Sequence, residues 1–211
     1  MAQLELVHPA PIDFDAPLSA RGDHNVIAHM ISEGARVLDI GSGDGALISL
    51  LTRECGARAR GLEIDPAKVH ACVKRGLSVV QGDADHDLTA FPSASFEYVV
   101  FSRTLQRLRD PEAALREAAR IGERVIVTIA NSGHWSGRFE LMFGGRIAKA
   151  RRGREILHPL SVRDFVALAR GLRMSVERAL PLARNKPGAP FAKVLWRANW
   201  FAEEAVFLLT P

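Results

Sequence analysis

From about residue 24 onward, short apolar segments alternate with segments of helical periodicity, and this alternation constrains the fold more than any other feature. "RVLDI" (36–40) has the pattern of a short buried strand, and "ALISLLTREC" (46–55) sets Leu47, Leu50 and Leu51 on one helical face before Gly56 ends it. "RARGLEI" (58–64) is a second strand, and "PAKVHACVKRG" a helix opened by Pro66. "LSVVQGD" (77–83) and "FEYVVFS" (96–102) continue the series, the latter apolar on both sides as a central strand must be. "DPEAALREAARIG" carries Asp110 as cap, Pro111 at the first helical position and Gly122 past the end. "RVIVTIAN" (124–131) is a fifth strand. A less regular stretch, 131–160, precedes "SVRDFVALARGL", in which Ser161 and Asp164 have capping-box spacing. "MSVERALPLA" and "EEAVFLLT" close the chain with no helix expected between them. The whole predicts a doubly wound, Rossmann-like, mostly parallel α/β sheet with an antiparallel C-terminal hairpin at one edge.

Residues 1–20, rich in Pro, Asp and Ala, read as a mobile arm. Residues 21–211 read as one domain, long enough to bury a sizeable core. "NVIAHMI" has helical spacing ahead of the first strand, with Gly34 as its stop.

Ligands of such sheets sit at the carboxyl ends of the strands, near the first strand. There "RVLDIGSGDG" places Gly41, Gly43 and Gly45 within five residues, flanked by Asp39 and Asp44. Gly41 to Ala46 satisfies the loose dinucleotide pattern G-x-G-x-x-A, which alone is weak. The acids discriminate. Two carboxylates beside a pyrophosphate are opposed by Coulomb repulsion, whereas the ammonium and sulfonium of S-adenosylmethionine welcome them. Glu63, closing the second strand in "GLEID", can accept both ribose hydroxyl hydrogens, a role equally suited to NAD. Asp83 in "QGDAD" can accept from an adenine amino group. The ordered set favours S-adenosylmethionine, or S-adenosylhomocysteine, over NAD; Ile64 and Ala84 fall beside these acids and Ser102 at the end of the fourth strand. Asp65 before Pro66 reads as a helix cap, and Asp44 has that alternative.

"VLDIGSGDG", "GLEID" and "FEYVVFSRTLQRLRDPEAALREAARIGERVIVTIANSGHW" resemble the MetW family of methionine biosynthesis, related to class I methyltransferases, from about Arg21 to Trp135. The resemblance implies a seven-stranded S-adenosylmethionine-binding fold and a role beside homoserine O-acyltransferase (MetX). It would set Asp39, Gly41, Gly43 and Gly45 at the methionine end, Glu63 at the ribose and Asp83 at the adenine. Ser102 and Arg103 would edge an acceptor pocket. Ser42 stands where the family usually has Cys, and "RIAKARRGREILHPLSVRDF" departs from the Thr-Pro-Asn-like segment expected after Trp135; His158 is its remnant.

Methyl transfer from a sulfonium needs in-line positioning, with a base only for an acceptor that must lose a proton. His134 and Arg103 are the candidates for catalysis, although His134 without a paired acid also reads as a loop-ordering residue. Asn131 reads as a backbone ligand at a strand end, and Trp135 as a lid or packing aromatic. The seven histidines are scattered, and Asp83, Asp85, His86 and Asp87 lack metal-ligand spacing. Net charge is +4, too little to make nucleic acid the default partner. The basic segment 138–154 reads either as an attractor for an anionic substrate or acidic partner or as a solvated loop. Phe191, Trp196, Trp200 and Phe201 read as hairpin core, with a docking face as the alternative. With no signal-peptide pattern, no run of about 18 apolar residues and two cysteines in amphipathic contexts, the expectation is a cytoplasmic protein with free thiols and no membrane span. A small-molecule methyltransferase and a cofactor-binding accessory of the acyltransferase are the two functional readings, with NAD-dependent oxidoreduction behind them.

Overall fold

A computed structural model describes residue 19 and residues 21–144, 156–190 and 195–211. The remainder of the expected N-terminal arm, most of the basic segment and Phe191 lie outside the described residues. One eight-stranded sheet, in the order β3-β2-β1-β4-β5-β8-β6-β7, organises the chain. Its strands are β1 (Arg36–Ile40), β2 (Arg58–Glu63), β3 (Val79–Gln81), β4 (Phe96–Ser102), β5 (Gly122–Ala130), β6 (Ser175–Ala183), β7 (Lys186–Pro187) and β8 (Glu204–Thr210). The first five are parallel. β8 enters antiparallel between β5 and β6, pairing Val127 with Phe207 and Ala179 with Phe207.

The sheet has eight strands, not the expected seven: the extra one is the two-residue β7, folded back on β6 through Arg184 and Asn185, both at positive φ. The C-terminal strands are antiparallel neighbours as expected, but β7 and a helix lie between them, so they are not joined as a hairpin. "LWRANWF" has two tryptophans four residues apart, a helical spacing that the aromatic clustering obscured.

Helices cover both faces: α1 (Gly22–Met30), α2 (Ala46–Cys55), α3 (Pro66–Lys74), α4 (Pro111–Ile121), α5 (Trp135–Gly144), α6 (Val162–Gly171) and α7 (Leu195–Phe201). Period-two alternation sends Val37 and Val100 into a cluster with Ile27, Leu47 and Leu51, beneath α1 and α2. Leu38 and Phe101 point the other way, into a cluster with Leu115, Phe165 and Phe207 beneath α4 and α6. Phe165 and Phe207 lie 4.6 Å apart and are fully buried, each contributing roughly 2–3 kcal/mol of transfer free energy. Asp65 and Asp110 cap α3 and α4, and Ser161 with Asp164 forms a complete capping box on α6. Parallel pairing of β1 with β2 and β4 brings their carboxyl ends to one edge, where the glycine loop begins.

Candidate functional site

The loop after β1 is shaped by what its glycines permit. Gly41 has φ +76°, and a Cβ there would lie 2.5 Å from Thr104. The Gly41 and Ser42 N–H groups both donate to the carbonyl of Leu62 at 2.7 and 3.2 Å, tying the loop to β2. Glu63 fastens it further. Its Oε2 accepts from the Gly43 N–H (2.6 Å) and its Oε1 from the Asp65 N–H (3.1 Å). A carboxylate has about four lone-pair sites, so two remain for a ligand.

These elements enclose a cavity of about 660 Å³ at the carboxyl ends of β1, β2, β3 and β4. Of the residues anticipated from sequence, Asp39, Gly41, Gly43, Glu63, Ile64, Asp83, Ala84 and Ser102 all line it. Asp39 is 1 % exposed, and its Oδ1 has no hydrogen-bond partner. Burial pushes its pKa up to about 7, with Asp23, Glu63 and Asp44 adding to the rise and Arg21 opposing it. An unsatisfied carboxyl oxygen this deep is costly unless a donor enters the cavity. Asp44 accepts from Ala46 N–H at 3.1 Å across the turn that leads into α2, while also lining the space. Asp83 accepts from Asp85 N–H (3.0 Å), and Asp85 in turn from Arg109 N–H (2.8 Å), which knits the loop after β3 to the segment before α4.

Three anticipated residues lie elsewhere. Gly45 stands behind the lining as the left-handed N-cap of α2, its Cβ direction blocked by Leu77 and Cys72. Arg103, at φ +59°, pairs with Glu204 (2.6 Å) and Asp23 (3.4 Å), joining β4 to β8 and α1. His134 has Nδ1 2.8 Å from Ser136 Oγ and its ring against Trp135, at the start of α5. Asn131 binds backbone, as its position suggested. Its Nδ2 donates to the carbonyls of Asn199 and Ala202 (3.0 and 2.8 Å), and its Oδ1 accepts from Gly133 and Val162. His158 Nε2 donates to the Arg109 carbonyl at 3.0 Å.

Sequence reasoning missed the wall supplied by α1. Arg21 and His24 line the cavity, as do Thr104, Arg107 and Leu108 beyond β4. His24 is 2 % exposed with Nδ1 unpartnered, and burial, aided by Arg21, lowers its pKa to about 4. It is therefore neutral near pH 7. Arg21 donates to Asp23 and to Ser102 Oγ (2.6 and 2.8 Å), while Gly22 N–H donates to Asn185 Oδ1 at 2.6 Å. A Cβ on Gly22 would collide with the Asn185 carbonyl oxygen, so glycine is what lets the helix start lie against the β6–β7 turn. The available signal was the polar run Arg21-Gly22-Asp23-His24-Asn25, whose last three residues are all buried, at the head of a helix that hydrophobic spacing alone had outlined. Among the described residues no group of three or more His, Cys, Asp or Glu is placed to hold a metal ion.

Comparison with known proteins agrees with this architecture. A S-adenosylmethionine-dependent methyltransferase of Mesorhizobium loti superposes with a TM-score of 0.67 over 92 % of this chain and 100 % of its own, at 12 % identity. One of Thermotoga maritima gives 0.63 over 90 % and 87 %, at 19 % identity. At such identities the likeness concerns the fold, that of class I methyltransferases. In sequence, a bifunctional methionine biosynthesis protein MetXA/MetW of Rhodopirellula baltica is 31 % identical over 151 residues, 68 % of this chain and 24 % of the relative. A ubiquinone biosynthesis O-methyltransferase of Xanthomonas oryzae is 36 % identical over 101 residues, 46 % of this chain and 42 % of the relative. The matched parts thus span less than half the length of either relative. The model of the family described as methionine biosynthesis protein MetW matches residues 21–209, and the chain belongs to that family.

Proposed function

We propose that the protein binds S-adenosylmethionine or S-adenosylhomocysteine in the cavity at the end of β1 and serves as an accessory to homoserine O-acyltransferase in methionine biosynthesis. The observation that carries the binding half is the buried, unpartnered carboxyl of Asp39 facing a cavity rimmed by Asp44, Glu63 and Asp83. The donor set suits a cation. Asp39 is positioned to accept from an ammonium, Glu63 has lone pairs left for ribose hydroxyls, and Asp83 can accept from an adenine amino group. Gly41 and Gly43 leave the backbone bare where a ligand must approach closely. Bound there, S-adenosylmethionine would supply an electrophilic methyl group; the chain's own part is to orient it and exclude water.

The accessory half rests on the fusion of MetXA and MetW in the Rhodopirellula relative, which puts both activities' domains in one polypeptide. It is also favoured by the state of the cavity's histidine. His24 is held neutral far below its ordinary pKa, which makes it a weak base for an acceptor proton. A second reading, methyl transfer to a small molecule, is favoured by the cavity's extension past Ser102 to Thr104, Arg107 and Leu108 and by the similarity to ubiquinone O-methyltransferases.

Thermal unfolding with saturating S-adenosylmethionine or S-adenosylhomocysteine tests the binding half: Tm should rise with either, and not with NAD. Glu63→Gln keeps an acceptor for Gly43 but loses charge-assisted bonds, so affinity should fall roughly 10–100-fold. An unchanged affinity would remove Glu63 from the ribose role. Assay of purified homoserine O-acyltransferase with and without this protein tests the accessory half, which fails if the rate and stability of the acyltransferase are indifferent to it.

A further inference from the structure

α5 carries Trp135, Phe139, Met142 and Phe143, the i, i+4, i+7, i+8 stripe by which a helix ordinarily packs on a core. Here the stripe faces outward. Trp135, Phe139 and Phe143 form a continuous ladder, with ring centroids 6.0 Å and 5.6 Å apart in succession. The guanidinium of Arg138, on the same helix, lies 4.7 Å over the ring of Trp200 and so joins α5 to α7, where Trp196 and Trp200 share a face. These six side chains are between 40 and 76 % exposed. At ~150–250 Å² for an aromatic side chain, the five aromatics alone leave roughly 400–700 Å² of apolar surface in water. That is the order of the ~800 Å² one partner contributes to a stable interface. Scattered single hydrophobics need no explanation, but a linked patch of this size does.

From this patch we infer that α5 and α7 form the docking face for homoserine O-acyltransferase, with an apolar contact centre and carboxylates of the partner meeting Arg138 and Arg197 at the rim. The inference rests on the accessory role proposed above, and two observations choose the occupant. The Rhodopirellula relative is named for MetXA and MetW together and is matched by this chain over 24 % of its length, which leaves room in that polypeptide for a second domain and supports the acyltransferase as occupant. The patch also grows from the carboxyl end of β5, parallel to β1 and β4, and therefore from the sheet edge on which the cofactor cavity opens. Gln106, in the turn after β4, bonds the end of β5 through Ala130 N–H and C=O (2.7 and 3.0 Å), linking the cavity-side turn to the strand that launches α5. A partner docked there sits beside the cavity.

The test is titration of the purified acyltransferase with the full chain, wild type and the double variant Phe143→Glu/Trp196→Glu. Both positions are more than half exposed, so the variant should keep the wild-type Tm and the wild-type Tm rise with S-adenosylhomocysteine. Truncating aromatic anchors and adding charge should weaken binding at least about tenfold. If wild type binds and the folded variant binds equally well, this face is wrong while the accessory role stands. If wild type does not bind the acyltransferase, the role and the face fall together. Loss in the variant of a dimer seen for wild type by sedimentation would reassign the face to a second copy of this chain. Loss of co-sedimentation with phosphatidylglycerol vesicles would reassign it to a lipid surface. Either result overturns the proposal.

Discussion

Asp39 concentrates the chemistry of the site in one carboxyl. Burial lifts its pKa from 3.8 to about 7, so near neutrality it lies between its two forms. Only the carboxylate attracts an ammonium. The affinity for S-adenosylhomocysteine should therefore rise about tenfold per pH unit from pH 5.5 toward 7 and then level off. Below pH 7, binding should expel a proton, visible in calorimetry at pH 6 as a heat that depends on the buffer's ionisation enthalpy. Asp39→Asn should bind more weakly and lose both the slope and the proton release; retention of either would assign them to another group. The stability sign is opposite. Between pH 4 and 7 the unfolded chain ionises Asp39 while the folded chain holds its proton, so this residue lowers stability as pH rises. In urea titrations Asp39→Asn should gain on wild type across that window and not beyond it.

At the scale of elements, β5 ends in a polar hub. Asn131 satisfies the carbonyls of Asn199 in α7 and of Ala202 just past it, and the N–H groups of Gly133 and Val162, holding the start of α6 and the end of α7 together. Asn131→Ala strands these buried groups and should cost roughly 2–4 kcal/mol in urea unfolding, while leaving cofactor affinity within about threefold. A cost below about 1 kcal/mol would mean that water or neighbouring backbone replaces the side chain. Elements whose stability is local were legible from sequence: β1, β2 and β4 from apolar runs, α3, α4 and α6 from their caps, and the acids of the cavity from their order after successive strands. β7 was not, because two residues carry no periodicity and their turn uses Arg184 and Asn185 at positive φ without glycine. α7 was hidden because its aromatics resemble a core strand when read without a partner. Arg21 and His24 reach the cavity only because Gly22 lets α1 dock on Asn185, a contact 163 residues away that no local pattern encodes.

That long-range docking makes the cavity wall a property of the whole molecule. Asp23 in α1 is fully buried and binds Arg21 and Arg103, while accepting from Ser102 Oγ at 2.9 Å; Arg103 then reaches Glu204 in β8. One carboxylate thus fastens the first helix to the centre of the sheet and, through Arg103, to a strand inserted from the C-terminus. Burial opposes its ionisation, but Arg103 and Arg21 together outweigh this and hold its pKa below the ordinary value. Glu204 shows the reverse balance: burial raises its pKa by more than Arg103 returns. Asp23 is therefore the stabilising member. Its neutral isostere in Asp23→Asn would leave both guanidinium groups short of charge. The expected cost is roughly 2–3 kcal/mol, less than for a wholly buried pair because the Arg21 and Arg103 side chains keep 35 % and 23 % of their exposure. The unfolded chain titrates Asp23 near 3.8 and the folded chain lower still, so its contribution is complete above about pH 4 and is lost as pH falls through the folded pKa. Urea unfolding should accordingly show the full gap between wild type and variant at pH 7 and a narrowing gap below pH 3.5. The same variant frees the end of α1 that carries Arg21 and His24, so cofactor affinity should fall with stability; Asn131→Ala, which loosens the junction of α6 and α7 and does not touch the cavity lining, should leave it intact. Equal stability of Asp23→Asn and wild type at pH 7, or a gap unchanged in acid, would show that α1 is held by Gly22–Asn185 docking and apolar packing instead of by this charge.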